Sequence, residues 1–164
     1  MMVVFDSSTL ILLGKINILR EAAEQVDIVI PEKVREECLA KKSPDALLIG
    51  ALIEERKIKI EKVASRKAIR KLCADFRIET AEAEAFYLAK KRGCPLAVDD
   101  GPTIKACKIL GHKFVTAIHF LVDMAIREEI NLTTALAKLE KLSMYGRYST
   151  RIIQDAGVRM KGEV

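Results

Sequence analysis

The chain lacks tryptophan, has 5% aromatic residues, and has no apolar run approaching the roughly 20 residues needed to cross a bilayer. Every candidate run is broken by Lys, Arg or Glu. The opening residues MMVVFDSSTLILLGKINIL resemble a secretion signal at first sight. They have no basic start, carry Asp6 inside the apolar stretch and end without a small-residue cleavage site, so a cytoplasmic protein is expected, without contact to a membrane. The four cysteines, Cys38, Cys73, Cys94 and Cys107, form no C-x-x-C pair and have no histidine at zinc spacing, so they read as reduced thiols in a core. G-x-S-x-G, G-x-G-x-x-G and P-loop signatures are all missing, which removes support for serine hydrolase, dinucleotide and nucleoside-triphosphate chemistry. His112 and His119 have no carboxylate partner at a recognisable spacing.

What is present is a chain of 164 residues, half of them hydrophobic, in apolar blocks of about four to eight separated by charged stretches. That is enough to bury one core, and no linker, repeat or low-complexity segment divides it, so residues 1–164 are expected to form a single domain. The net charge of +5 permits an acidic partner such as nucleic acid without requiring one. β-Branched blocks at residues 3–5, 27–30, 58–61, 96–98 and 113–115 read as strands. Helical spacing appears at 32–40, 44–55, 66–76, 81–92 and 102–110. Ser43-Pro44 and Thr80 supply starts, and Gly93 and Gly111 supply stops. Such alternation predicts an α/β fold, a three-layer α/β/α sandwich around a mostly parallel sheet of about five strands. From residue 115 onward only helices are expected, at 118–128 and 133–142, followed by a polar, glycine-containing tail. Residues 115–164 thus form a helical C-terminal appendage.

In an open parallel sheet, ligands bind outside the carboxyl ends of the strands. The first strand runs straight into Asp6, and the fourth into Asp99 and Asp100. Each acid alone could be only a helix cap. Together, on neighbouring strands, they would repel one another without a compensating cation, and a divalent metal is the simplest one. Glu36 and Glu37 diverge on their helix by roughly 100°, and Glu82 and Glu84 by roughly 200°, so at most one of each pair should face inward. Glu37 falls beside the apolar positions Val34 and Cys38. Glu82 lies three and four positions before Ala85 and Phe86.

Four stretches, V-V-F-D-S-S-T-L-I, I-P-E-K-V-R-E-E-C, E-T-A-E-A-E-A-F-Y-L-A and L-A-V-D-D-G-P-T-I-K-A-C-K-I-L-G-H-K-F-V, resemble in order and spacing the successive motifs of PIN domains. The likeness is closest to VapC-type nucleases whose third motif is G-E-A-E-A-like and whose fourth is D-D. It extends through the tail containing Met144-Tyr145-Gly146-Arg147-Tyr148-Ser149. Two departures are Val98, where many relatives have Thr or Ser, and Ala81, where the nearest branch has Gly. The resemblance implies a ribonuclease in which Asp6, Glu37, Glu82 and Asp99 or Asp100 hold one or two Mg²⁺ or Mn²⁺ ions. Ser8 would support the first acid, and Glu84 competes with Glu82.

Such a carboxylate site suits hard, octahedral Mg²⁺ or Mn²⁺ and hydrolysis of RNA phosphodiester bonds by a metal-activated water. Basic residues must offset the acids' repulsion of RNA. The candidates are Lys90, Lys91, Arg92, Lys105, Lys108, Arg147 and Arg151, each equally readable as a solvated surface charge. The resemblance further implies a homodimer and a toxin silenced by an antitoxin. Two other readings stand beside it: an inactive PIN-fold interaction module, and a structure-selective nuclease acting in RNA processing or on DNA.

Overall fold

The structure, a computed structural model, describes residues 1–162. β1 (Met2–Phe5) leads into α1 (Ser7–Lys15) and α2 (Leu19–Gln25). β2 (Asp27–Pro31) is followed by α3 (Glu32–Leu39) and α4 (Pro44–Glu54), and β3 (Ile58–Glu61) by α5 (Arg66–Phe76) and α6 (Thr80–Arg92). Next come β4 (Leu96–Ala97), α7 (Gly101–Leu110) and β5 (Phe114–Val115). The chain then continues through α8 (Ala117–Ile126), α9 (Leu132–Tyr145) and α10 (Thr150–Met160).

The strands form one sheet in the order β3-β2-β1-β4-β5, with every neighbouring pair parallel. Successive residues of a strand point to opposite faces. Val3, Val4 and Phe5 are all buried, as are Ile28, Val29 and Ile30, so both faces are covered by helices, as a three-layer sandwich requires. On one face the Phe120 ring of α8 meets Phe5 with centroids 5.4 Å apart. The main buried cluster runs from Val3 on β1 to Met160 on α10. No helix among the described residues is long and apolar enough to cross a membrane.

Strand order decides where a ligand can sit. The chain builds outward from β1 to β3 and then returns across the sheet to lay β4 on the other edge of β1, pairing Phe5 with Ala97. The order reverses at this point, and the loops after β1 and β4 diverge to open a crevice.

Several local expectations change. Residues 7–25 form α1 and α2, neither of which was expected. Glu79, not Thr80, is the N-cap of α6. β4 stops at Ala97, although the Val98 N–H still donates to the Val115 carbonyl at 2.9 Å. The expected polar tail instead contains α10, capped by Ser149 and anchored through Ala156 and Met160. Gly93 and Gly111 do end α6 and α7, with φ of +63° and +65°, a conformation glycine adopts at no steric cost. Of the appendage expected over 115–164, residues 163 and 164 lie outside the described residues.

Candidate metal centre

Asp6 leaves β1 in extended conformation (φ −81°, ψ 158°), caps α1 and is completely buried. Its Oδ2 accepts hydrogen bonds from the Ser8 N–H at 3.2 Å and the Ser8 hydroxyl at 2.5 Å. Its Oδ1 is buried without a hydrogen-bond partner among the described residues. Glu37 arrives from α3, and its Oε2 accepts from the Ser7 hydroxyl at 2.7 Å. Glu82 comes from the first turn of α6, where its Oε2 accepts from the Glu79 N–H at 2.8 Å, one half of a capping box. Asp6, Glu37 and Glu82 each present one oxygen, and these three atoms lie within 4.8 Å of one another.

Burial, the Ser8 bonds and the Glu37 charge act together on Asp6. Burial wins and pushes its carboxyl up to about 6. Glu82 is pushed up to about 7, first by burial and then by the charges of Asp6, Asp100 and Glu37. Like charges confined in low dielectric either take up protons or gather a cation. The Cys38 thiol is raised to about 12 by burial and then by the charges of Asp6, Glu37 and Asp45, so it stays neutral and acts as core. A divalent cation fits the donor set: three hard carboxylates, one of them with a buried, unpartnered oxygen.

The two acids after β4 have different surroundings. Asp99 Oδ2 accepts from the Thr9 hydroxyl at 2.7 Å and the Ala117 N–H at 3.0 Å, and its Oδ1 accepts from the Tyr148 hydroxyl. Both oxygens are thereby committed to α1, α8 and the segment before α10. Asp100 caps α7 through Oδ2, which accepts from the Thr103 N–H at 3.0 Å and the Thr103 hydroxyl at 2.6 Å. Its charge acts on Glu82. Geometry therefore joins Asp6, Glu37 and Glu82, with Asp100 close enough for its charge to act on Glu82, while both Asp99 oxygens are bonded to donors of the surrounding elements. Glu84 points elsewhere, toward Lys33 in a neighbouring cleft. Ser8 both donates to Asp6 and accepts from the Asp99 N–H at 3.0 Å, so one hydroxyl ties the end of β1 to the end of β4.

Most of the basic candidates lie away from this crevice. Lys90, Lys91 and Arg92 occupy the last turn of α6, about 12–15 Å along the axis from Glu82, and Arg92 pairs with Glu61 at 2.6 Å. Lys108 likewise sits in the last turn of α7, whose first turn faces the acids, and Lys105 is exposed one turn into that helix. Arg147 and Arg151 are exposed on either side of the α10 cap, Arg147 next to Tyr148. His112 bonds to the Cys94 carbonyl at 3.1 Å, and the exposed His119 rests edge-on against Phe120. Sequence reasoning missed Ser7, Thr9 and Tyr148. The first two stand in the hydroxyl run directly after Asp6, which was a usable signal; Tyr148 stands in the tail stretch that carries the resemblance, but nothing there pointed to Asp99 as its partner.

No curated protein matches the chain. A family model described as a PIN domain matches residues 2–160. That match spans all five strands and every acid discussed above, and the chain belongs to the PIN-domain family.

Proposed function

We propose that the protein is a metal-dependent endoribonuclease. The observation that carries this reading is the convergence of Asp6, Glu37 and Glu82 around a buried carboxylate oxygen that lacks a partner among the described residues. The family is one of nucleases in general, and the choice of RNA rests on the resemblance to VapC-type enzymes.

The chain's own residues divide the work. Asp6, Glu37 and Glu82 would hold Mg²⁺ or Mn²⁺, with Asp100 beside them to receive a water. Ser7 and Ser8 fix the rotamers of Glu37 and Asp6, so the oxygens are already placed before anything binds. Asp99 and its three donors hold the β4 end against β1. When bound, the ion supplies Lewis acidity, activating water at neutral pH and offsetting charge on the phosphate. The raised protonation of Asp6 and Glu82 means that protons leave as the cation enters, so affinity rises with pH up to about 7.

The test is cleavage of a mixed single-stranded RNA by purified protein with Mn²⁺, with EDTA, and by the Asp6→Asn variant. Cleavage should require both the ion and Asp6, with a loss of at least about a hundredfold in the variant. Cleavage that survives EDTA or Asp6→Asn would sink the reading. The same variant pair examines the toxin role: induced wild-type protein should arrest bacterial growth and the variant should not.

A further inference from the structure

Beside the acid cluster, a cleft of about 760 Å³ opens between α3, α5 and α6. Lys33 of α3 and Arg66 and Arg70 of α5 line it, against a single carboxylate, Glu84 of α6. Arg66 and Arg70 are four residues apart on one helix, which sets their Cβ atoms about 6 Å apart on the same face. That is close to the separation of successive phosphates along a nucleic-acid strand. Ile69, beside them on the same helix, adds a buried apolar side chain to the lining. Both arginines are exposed, and neither joins an ion pair among the described residues. Lys33 pairs with Glu36 at 3.1 Å across exposed surface, a contact weak enough for a phosphate to displace.

The cleft is continuous with the acids. Lys33, Cys73 and Thr80 also line the adjoining hollow, whose carboxylates are Glu36, Glu37 and Glu79. Cys73 lines both spaces, which places it at the junction of cleft and hollow. A strand of nucleic acid whose scissile phosphate lay at the acids would pass this way. It would meet the cations needed to offset three carboxylates.

We propose that this cleft is the backbone subsite for single-stranded RNA, with Arg66 and Arg70 each neutralising one phosphate and Lys33 a third at the junction with the acids. The inference rests on the ribonuclease reading above. Guanidinium forks suit phosphate oxygens, which accept two parallel N–H bonds. Among the described residues no aromatic side chain lines the cleft, so they offer no platform for stacking bases. Recognition here is therefore of charge and backbone, tolerant of sequence, and base preference must arise elsewhere along the strand.

The test is fluorescence anisotropy with a short labelled single-stranded RNA over a range of salt, in an Asp6→Asn background that leaves the RNA uncut. Arg66→Gln with Arg70→Gln should weaken binding by about tenfold and reduce the slope of log Kd against log salt by about 1.4, roughly 0.7 per lost phosphate contact. Lys90→Gln with Lys91→Gln, at the far end of α6, should change neither. In the cleaving protein the arginine pair should raise KM and leave kcat. Unchanged affinity and slope, an equal loss in the lysine pair, or no binding of RNA by the parent would each overturn the proposal. The two readings separate cleanly. Metal- and Asp6-dependent cleavage with unaffected arginine variants would refute the cleft alone. Binding that depends on the arginines without any cleavage would uphold the cleft and refute the nuclease.

Discussion

Asp6 is a group whose role in binding works against its role in folding. Its raised carboxyl, with that of Glu82, binds protons in the folded chain that it releases on unfolding. From about pH 4 to about pH 7 the metal-free native state therefore holds more protons than the unfolded state, and stability falls as pH rises. Asp6→Asn should remove that cost and stabilise the metal-free protein at pH 8 by about 1–3 kcal/mol, with no gain at pH 4. Urea unfolding at the two pH values checks this. A loss of stability at pH 8 would show that the buried charge is not what costs. With saturating Mn²⁺ the ordering should reverse, because only the wild-type site gains the binding energy of the ion. The three acids that converge, Asp6, Glu37 and Glu82, could be read from sequence because each stands at a strand end or beside an apolar helical position. The roles of Asp99 and Asp100 could not. Both follow the same strand, and what separates them is the set of donors from Thr9, Ala117 and Tyr148, remote in the chain from β4 or on the far side of β5.

Among the elements, α6 carries the clearest division of labour. Glu82 presents one oxygen to its own helix N-terminus and contributes to the acid cluster, while Glu84 falls on the other side, as the helical period requires. Glu82→Gln keeps an acceptor for the Glu79 N–H. At pH 4, where Glu82 is itself protonated, the substitution should leave stability within about 0.5 kcal/mol; at pH 8 it should stabilise the metal-free protein, as Asp6→Asn does, and lower Mn²⁺ affinity at least tenfold, about 1.4 kcal/mol. Glu82→Ala should lose the cap as well, at a further cost of about 0.5–1 kcal/mol. Calorimetric titration with Mn²⁺ and urea unfolding on both variants would separate the two roles; equal stabilities would dismiss the cap. The strands and the helices from α3 to α7 were legible because apolar period and cap residues agree there. α1 was not, because Leu10, Leu12 and Leu13 leave no polar face to show a period. α2 spans seven residues, too few to establish one. α10 was masked by its exposed polar residues, since Ala156 and Met160 are its two fully buried positions.

At the scale of the whole molecule, the C-terminal helices are joined to the site through Tyr148, whose hydroxyl donates to Asp99 from the segment between α9 and α10. Burial and the Asp99 charge raise that phenol, so it remains a donor across the working range of pH. Tyr148→Phe removes one charge-assisted hydrogen bond from a half-buried position and should destabilise the fold by about 1–3 kcal/mol. Mn²⁺ affinity should change little, because Asp99 lies outside the three-carboxylate group proposed to hold the ion. Thermal unfolding and metal titration on this variant give both readings. A large loss of Mn²⁺ affinity with intact stability would move Asp99 from the scaffold to the metal.

The return of the chain across the sheet also sets a schedule for synthesis. β1 is made first, but its partner on one edge, β4, follows some ninety residues later. At about 5–20 residues per second, that edge waits roughly 5–20 s on the ribosome with its backbone groups unpaired. Asp6 meanwhile has no Asp99 N–H to fix the far side of Ser8. A nascent chain thus carries Asp6, Glu37 and Glu82 before the Ser8 link to β4 is made, and its period of greatest exposure to aggregation is the interval in which β1 stands beside an empty place in the sheet.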